Sequence, residues 1–200
     1  MYVKSKRAFD FLVSLLSIVA LCPFLIIISL MIKKGSKGPV FFKQKRIGMN
    51  KKTFYILKFR TMREETPKDM PTHMLQNPDI YITKIGKFLR KTSLDELPQI
   101  INIIQGEMSI IGPRPALWNQ FDLIVEREKY GANDIRPGLT GWAQINGRDE
   151  LPIVVKAALD GEYVRKMSLL FDLSIFIKTI SSVLKSEGVS EGAKSDKQAE

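Results

Sequence analysis

Two hundred residues with a net charge of +10 leave room for one domain and an anchor. Charged side chains make up 26% of the chain, which excludes a transporter built mainly of membrane spans, and one cysteine excludes a disulfide framework, so a reducing compartment is the default. The positive charge fits three partner classes: nucleic acid, an anionic membrane surface or a phosphate-bearing substrate.

The N-terminus chooses among these. From Phe11 to Ile32 the chain runs 22 residues without a charge, about 33 Å as a straight helix and long enough to cross a bilayer core. Membrane phospholipid is therefore an expected partner. No DNA-reading motif is visible, and nucleic acid is not expected. A single span is the simplest reading of the apolar run, but three features favour a re-entrant helical hairpin. Lys4, Lys6 and Arg7 precede the run and Lys33, Lys34 and Lys37 follow it, whereas a span should carry its basic residues mainly on one side. Pro23, near the middle, removes a backbone hydrogen bond and can turn the helix back. The carbonyl it frees needs a partner, and Ser17 and Cys22 are the nearby polar side chains. A cleaved signal is rejected, because no small-x-small site follows the apolar body.

Val40-Phe41-Phe42 and Phe54-Tyr55-Ile56-Leu57 are β-rich runs around the polar turn Gly48-Met49-Asn50-Lys51, which reads as a hairpin. Glu64 to about Pro78 is polar and carries Pro67, Pro71 and Pro78, so it reads as a loop able to cover a site. Helices are expected over Thr83–Arg90, from the Asp95 region through Ile104 to Gly106, over Trp118–Tyr130 and over Pro152–Lys166. Leu169, Leu173, Phe176, Ile177, Ile180 and Leu184 line one face of a last helix, which suits either a core or a membrane interface. The expected fold is α+β and mainly helical: a re-entrant N-terminal membrane helix, a small β-hairpin and amphipathic interfacial helices around a compact catalytic domain. The anchor is set at 1–36, the catalytic domain at 37–186 and an unstructured polar tail at 187–200.

In Ser93-Leu94-Asp95-Glu96-Leu97-Pro98, Ser-x-x-Glu is a capping box, and acidic residues in a first turn complement the helix dipole. Pro98 moves the expected cap to Asp95, because it then falls in the third helical position, where its missing N–H costs nothing. Asp95 would stand ionised at a helix mouth with Glu96 in the first turn, where a carboxylate is a usable nucleophile and an oxygen ligand for a divalent cation. Gly112-Pro113-Arg114-Pro115 holds Arg114 between two prolines, and Arg136-Pro137-Gly138 and Gly147-Arg148 repeat the theme. With Lys58, Arg60 and Arg90 these arginines suit a phosphate-binding shell, since guanidinium forks match phosphate oxygens. His73 is alone, which leaves no zinc site and no histidine base and turns acid–base chemistry over to Asp95 and Glu96.

Four stretches resemble the bacterial sugar transferases, the monotopic phosphoglycosyl transferases. They are Lys58-Phe59-Arg60-Thr61-Met62, Ser93 through Gln99, Gly112-Pro113-Arg114-Pro115, and Arg136-Pro137-Gly138-Leu139-Thr140-Gly141-Trp142-Ala143-Gln144-Ile145-Asn146-Gly147-Arg148. They occur in the family's order behind the basic-then-apolar N-terminus, and the likeness runs to about residue 188. The resemblance implies that Asp95 attacks the β-phosphate of a UDP-sugar, releases UMP and holds a covalent sugar phosphate. Polyprenyl (undecaprenyl) phosphate then takes up that group, with Glu96 as acid/base. It further implies Mg²⁺ held partly by Asp95, contact of Arg114 with the nucleotide sugar, and an anchor broken at Ser-Pro that dips into the cytoplasmic leaflet of the bacterial inner membrane. Here that pair is Cys22-Pro23, and a thiol is a weaker hydrogen-bond donor than a hydroxyl.

Overall fold

The computed structural model describes residues 2–66, 80–147 and 151–184. The expected loop beyond Thr66 with His73, the residue Arg148, and the tail 187–200 lie outside the described residues. The chain is mainly helical. Helix α1 (Tyr2–Gly35) leads into an antiparallel hairpin of β1 (Phe41–Ile47) and β2 (Thr53–Phe59), whose register pairs Phe41 with Phe59 and Ile47 with Thr53. The expected turn is there: Asn50 and Lys51 take positive φ values of 54° and 58°, which reverse the chain between the strands.

Helices α2 (Lys84–Lys91) and α3 (Gln99–Gln105) follow, joined through a 3₁₀ turn at Leu94–Glu96. Thr83 caps α2 by accepting from the Gly86 N–H at 3.0 Å, and Gly106 ends α3 at φ 87°. Strand β3 (Ser109–Ile111) pairs in parallel with β4 (Gly138–Thr140), with α4 (Phe121–Glu128) between them in sequence. The short α5 (Trp142–Ile145), then α6 (Ile153–Lys166) and α7 (Leu169–Leu184), complete the described chain.

The hairpin, α2, α4, α6 and α7 follow the sequence reading. The β3–β4 pair was not expected, because three residues per strand carry no periodicity to read. What marks it is glycine. A Cβ on Gly138 would stand 2.1 Å from the Gly112 nitrogen, so these backbones approach more closely than any side chain allows.

Both ends of α1 pack on the same body. Near its start, Asp10 and Ser14 are buried, Ser109 Oγ donates to Asp10 at 2.6 Å, and Lys6 pairs with Asp172 of α7 at 2.7 Å. Near its end, Ile28 and Ile32 join Phe59 and Leu89 in a core cluster, each such side chain contributing about 1.5–3 kcal/mol by burial. Leu15, Leu16, Val19, Phe24, Ile26 and Ile27, in between, are exposed. The helix is continuous across Cys22 and Pro23, without the break and hairpin expected there.

On α7 the apolar stripe of Leu169, Leu173, Phe176, Ile177 and Ile180 is exposed and does not form the core. The inward side is narrower and partly polar. Ile175 packs against Ile111 and Tyr163, Asp172 accepts from the Tyr163 hydroxyl at 2.8 Å, and Thr179 bonds Thr140 at 2.8 Å.

Candidate active site

The Leu94–Glu96 turn is entered through Ser93, whose φ of 56° is left-handed and folds the chain sharply back from α2. This corrects the expected cap. Pro98 occupies the N-cap position of α3, and Asp95 sits in the separate turn before it. Leu97 and Pro98 keep a right-handed helical backbone, so the turn runs on into α3 with little change of direction.

Strand β2 supplies the first cation. Its pleat puts Phe54, Ile56 and Lys58 on one face, with Phe54 and Ile56 buried against Ile103 and Met108. Lys58 Nζ stands 2.6 Å from Glu96 Oε1 and 3.8 Å from Asp95 Oδ2. Arg114 brings the second, with Nη2 at 3.1 Å from the same Glu96 oxygen. Both neighbouring prolines are pinned through their carbonyls: Pro113 accepts from the Gly138 N–H at 2.9 Å and Pro115 from Arg46 Nη1 at 3.0 Å. Arg114 therefore leaves a backbone fixed on both sides.

Burial is the largest influence on both carboxyls and pushes each upward. At Glu96 it is outweighed by the charges and hydrogen bonds of Lys58 and Arg114, which hold the group well below the usual carboxylate range. At Asp95, only 8% exposed, burial prevails over Lys58; the charge of Glu96 adds to it, and Arg90 and Arg114 do not reverse it. Asp95 thus lies above the ordinary aspartate value, contrary to the easily ionised carboxylate expected at a helix mouth. Adjacent carboxyls driven in opposite directions by their surroundings are characteristic of sites that do chemistry.

The family model of the bacterial sugar transferases matches residues 1–186. The chain belongs to this family. Exopolysaccharide production protein ExoY of Sinorhizobium fredii is 40% identical over 198 residues, covering 92% of this chain and 87% of that protein. The uncharacterized sugar transferase EpsL of Bacillus subtilis is 37% identical over 186 residues, 93% of this chain and 90% of the relative. The UDP-glucose:undecaprenyl-phosphate glucose-1-phosphate transferase of Escherichia coli is 42% identical over 183 residues, which span 88% of this chain but 39% of that larger protein.

The remaining residues of the expected shell divide in this sugar transferase. Arg90, in the last turn of α2, donates from Nε to Thr61 Oγ1 at 2.9 Å, and its charge acts on Asp95. Arg60 is directed elsewhere. It is 5% exposed and donates to the Ser36 carbonyl at 2.9 Å, to Ser36 Oγ at 3.0 Å and to the Lys37 carbonyl, where α1 gives way to the hairpin. Arg136 donates to the Gly106 carbonyl at 2.9 Å, beside Arg7, which bonds the Ile103 and Ile104 carbonyls at 2.6 and 3.0 Å. The two close the negative end of α3, opposite to the end that follows the dyad.

Two buried residues of the neighbourhood were given no role from the sequence, although Gln99 closes one of the stretches that carry the family resemblance. Asn102 donates to Tyr55 O at 2.9 Å and Glu107 Oε2 at 2.7 Å and accepts from Leu57 N at 3.0 Å, which stitches α3 to β2. Gln99, at the start of α3, is buried as well. An amide inside an apolar helical run carries no spacing signal that separates it from a solvated one.

Proposed function

We propose that this enzyme transfers a sugar 1-phosphate from a UDP-sugar to polyprenyl phosphate, with Asp95 as the nucleophile. The observation that carries the reading is the position of Asp95 among Lys58, Arg90 and Arg114, on a turn whose neighbouring carboxylate is already neutralised by two cations. In the first step an Asp95 oxygen bonds to the β-phosphorus as the bond to the UMP oxygen breaks. In the second, an oxygen of polyprenyl phosphate bonds to the same phosphorus and Asp95 leaves as a carboxylate. Displacement at phosphorus needs alignment and positive charge above all, and Lys58, Arg90 and Arg114 supply that charge. When substrate phosphates draw Lys58 and Arg114 away, Glu96 loses what holds its pKa down, and burial then makes it a better proton acceptor for the incoming phosphate.

Among the described residues no group of three or more His, Cys, Asp or Glu side chains gathers to hold a metal. Mg²⁺ does not need one, since it takes one or two carboxylates and completes its shell with substrate phosphates and water. Asp95 fits that role better than Glu96, whose Oε1 is already shared by two cations. Bound there, Mg²⁺ would neutralise charge on the diphosphate.

The membrane half of the reading is an anchor on the cytoplasmic face, an unbroken helix that enters and leaves the membrane on the same side. It is supported by the packing of both ends of α1 on one body, with the exposed apolar stretch between them, and by basic residues at both ends. The exposed apolar stripe of α7 supports contact with the headgroup layer.

The decisive experiment gives purified enzyme each of a panel of UDP-sugars, UDP-glucose among them, without acceptor and measures UMP. Release of up to about one UMP per chain, with lipid acceptor restoring turnover, is the expected result. Asp95→Asn should bind membrane and stay folded but release none. A normal rate in that variant would refute the covalent mechanism.

A further inference from the structure

Two buried amides lie near the dyad, and they differ. Asn102, 1% exposed, has both polar atoms engaged by β2 and Glu107. Gln99 is 2% exposed, yet its Nε2 meets no hydrogen-bond partner among the described residues. An unpaired buried amide costs stability, and about nine in ten buried polar groups avoid that state. Gln99 follows Asp95 by four residues and Glu96 by three in a stretch of nearly continuous helical backbone. Leu97 and Pro98 carry a right-handed backbone from the dyad's turn into α3, and helical side chains lean toward the N-terminal end, so Gln99 starts one turn beyond the dyad and leans to its side. Asn102 sits one turn further on and bonds Tyr55 and Leu57, so this flank faces the strand that delivers Lys58.

We propose that Gln99 is a positioning residue for the nucleophile, its amide N–H reserved for the Asp95 oxygen that does not attack phosphorus. The proposal rests on the phosphoryl-transfer reading above. As one Asp95 oxygen bonds to phosphorus and the UMP oxygen leaves with its electron pair, the second oxygen becomes the carbonyl of an acyl phosphate. The Gln99 N–H donates to that oxygen and fixes the carboxyl's rotation. When polyprenyl phosphate attacks and the Asp95–phosphorus bond breaks, negative charge returns to the carboxylate and the same hydrogen bond stabilises the departing group. Gln99 neither gains nor loses a proton in either step.

The test uses Gln99→Leu and Gln99→Met in the full chain. UMP release from UDP-glucose is measured with and without undecaprenyl phosphate, and thermal unfolding is followed alongside. The expected result is a kcat lower by about ten- to a hundredfold, the worth of one hydrogen bond to a charged group, with KM for UDP-glucose within about twofold. Tm should hold or rise, because hydrocarbon replaces an unpaired amide. Wild-type kcat in both variants would overturn the proposal, and so would a loss of Tm that parallels the loss of rate, which would make Gln99 a packing residue. Wild-type enzyme that releases no UMP from UDP-glucose or from any other UDP-sugar of a panel would overturn the transfer reading itself and the positioning role with it. Normal wild-type release with unimpaired variants would overturn the positioning role alone.

Discussion

Arg127 of α4 and Asp160 of α6 form an ion pair sealed from water, with side chains 5% and 1% exposed and Oδ2 of Asp160 at 2.8 Å from Nε and 2.6 Å from Nη2 of Arg127. Its two halves should not be equally costly to lose. Asp160→Asn strands a guanidinium that cannot shed its proton, and an uncompensated buried charge costs about 3–5 kcal/mol. For a domain of this size that is a fall of about 6–20 °C in Tm. Arg127→Met strands a carboxyl that can neutralise itself, since burial already pushes Asp160 upward against Arg127 and Lys156. Its cost should be about half as large or less. The pH dependence separates the two further. With Arg127 gone, the folded-state pKa of Asp160 rises further above its unfolded value of about 3.9. The stability of Arg127→Met is then greatest below that value and is lost as pH rises through the folded-state pKa, while Asp160→Asn has no carboxyl to give such a slope. Thermal unfolding followed by circular dichroism at pH 5 and pH 8 measures both effects. A larger cost for Arg127→Met at pH 5, or a flat pH response in that variant, would refute the reasoning.

Two further outcomes bear on the anchor. Arg60→Lys should lower stability by about 1–3 kcal/mol, because an ammonium cannot replace a fork spread over Ser36 and Lys37, while kcat per folded enzyme is unchanged; a raised KM for UDP-glucose at unchanged Tm would return Arg60 to the substrate shell. Single cysteines at Lys4 and Lys37, in a Cys22→Ser background, should both react with an impermeant maleimide from the same side of sealed vesicles. Protection of just one would restore a single span.

The hairpin and the longer helices were legible because each repeats its period over several residues and ends at a recognisable stop. The dyad was legible as a pair, but its local geometry was not. Capping rules place a helix start from side-chain types, whereas the chain reverses through a left-handed Ser93, a position where glycine would be the expected signal. The arginine shell was legible in part for a related reason. Pro and Gly mark where a backbone is stiff but not the direction in which the side chain leaves. Arg114 leaves toward Glu96, while Arg60 and Arg136 turn to the carbonyls at the end of α1 and of α3. Sequence charge counts cannot distinguish an arginine that meets a carboxylate from one that closes a helix.

Lys58-Phe59-Arg60 shows why these fates belong together. Lys58 and Phe59 point to opposite faces at the end of β2, and Arg60 lies just beyond the strand, so three neighbours address three surroundings. Lys58 reaches the carboxylates, Phe59 enters the cluster with Ile28, Ile32 and Leu89, and Arg60 locks the exit of α1. The main cation of the dyad is thus one residue from the side chain that packs on the membrane helix. Phe59 ties α1 to the strand that carries Lys58. A lipid acceptor has its phosphate at a depth set by the bilayer, so a site that receives it needs a fixed height above the anchor. The packing of Phe59 on α1, one residue from Lys58, serves that need, whereas a mobile tether such as a glycine-rich linker at 36–40 would not.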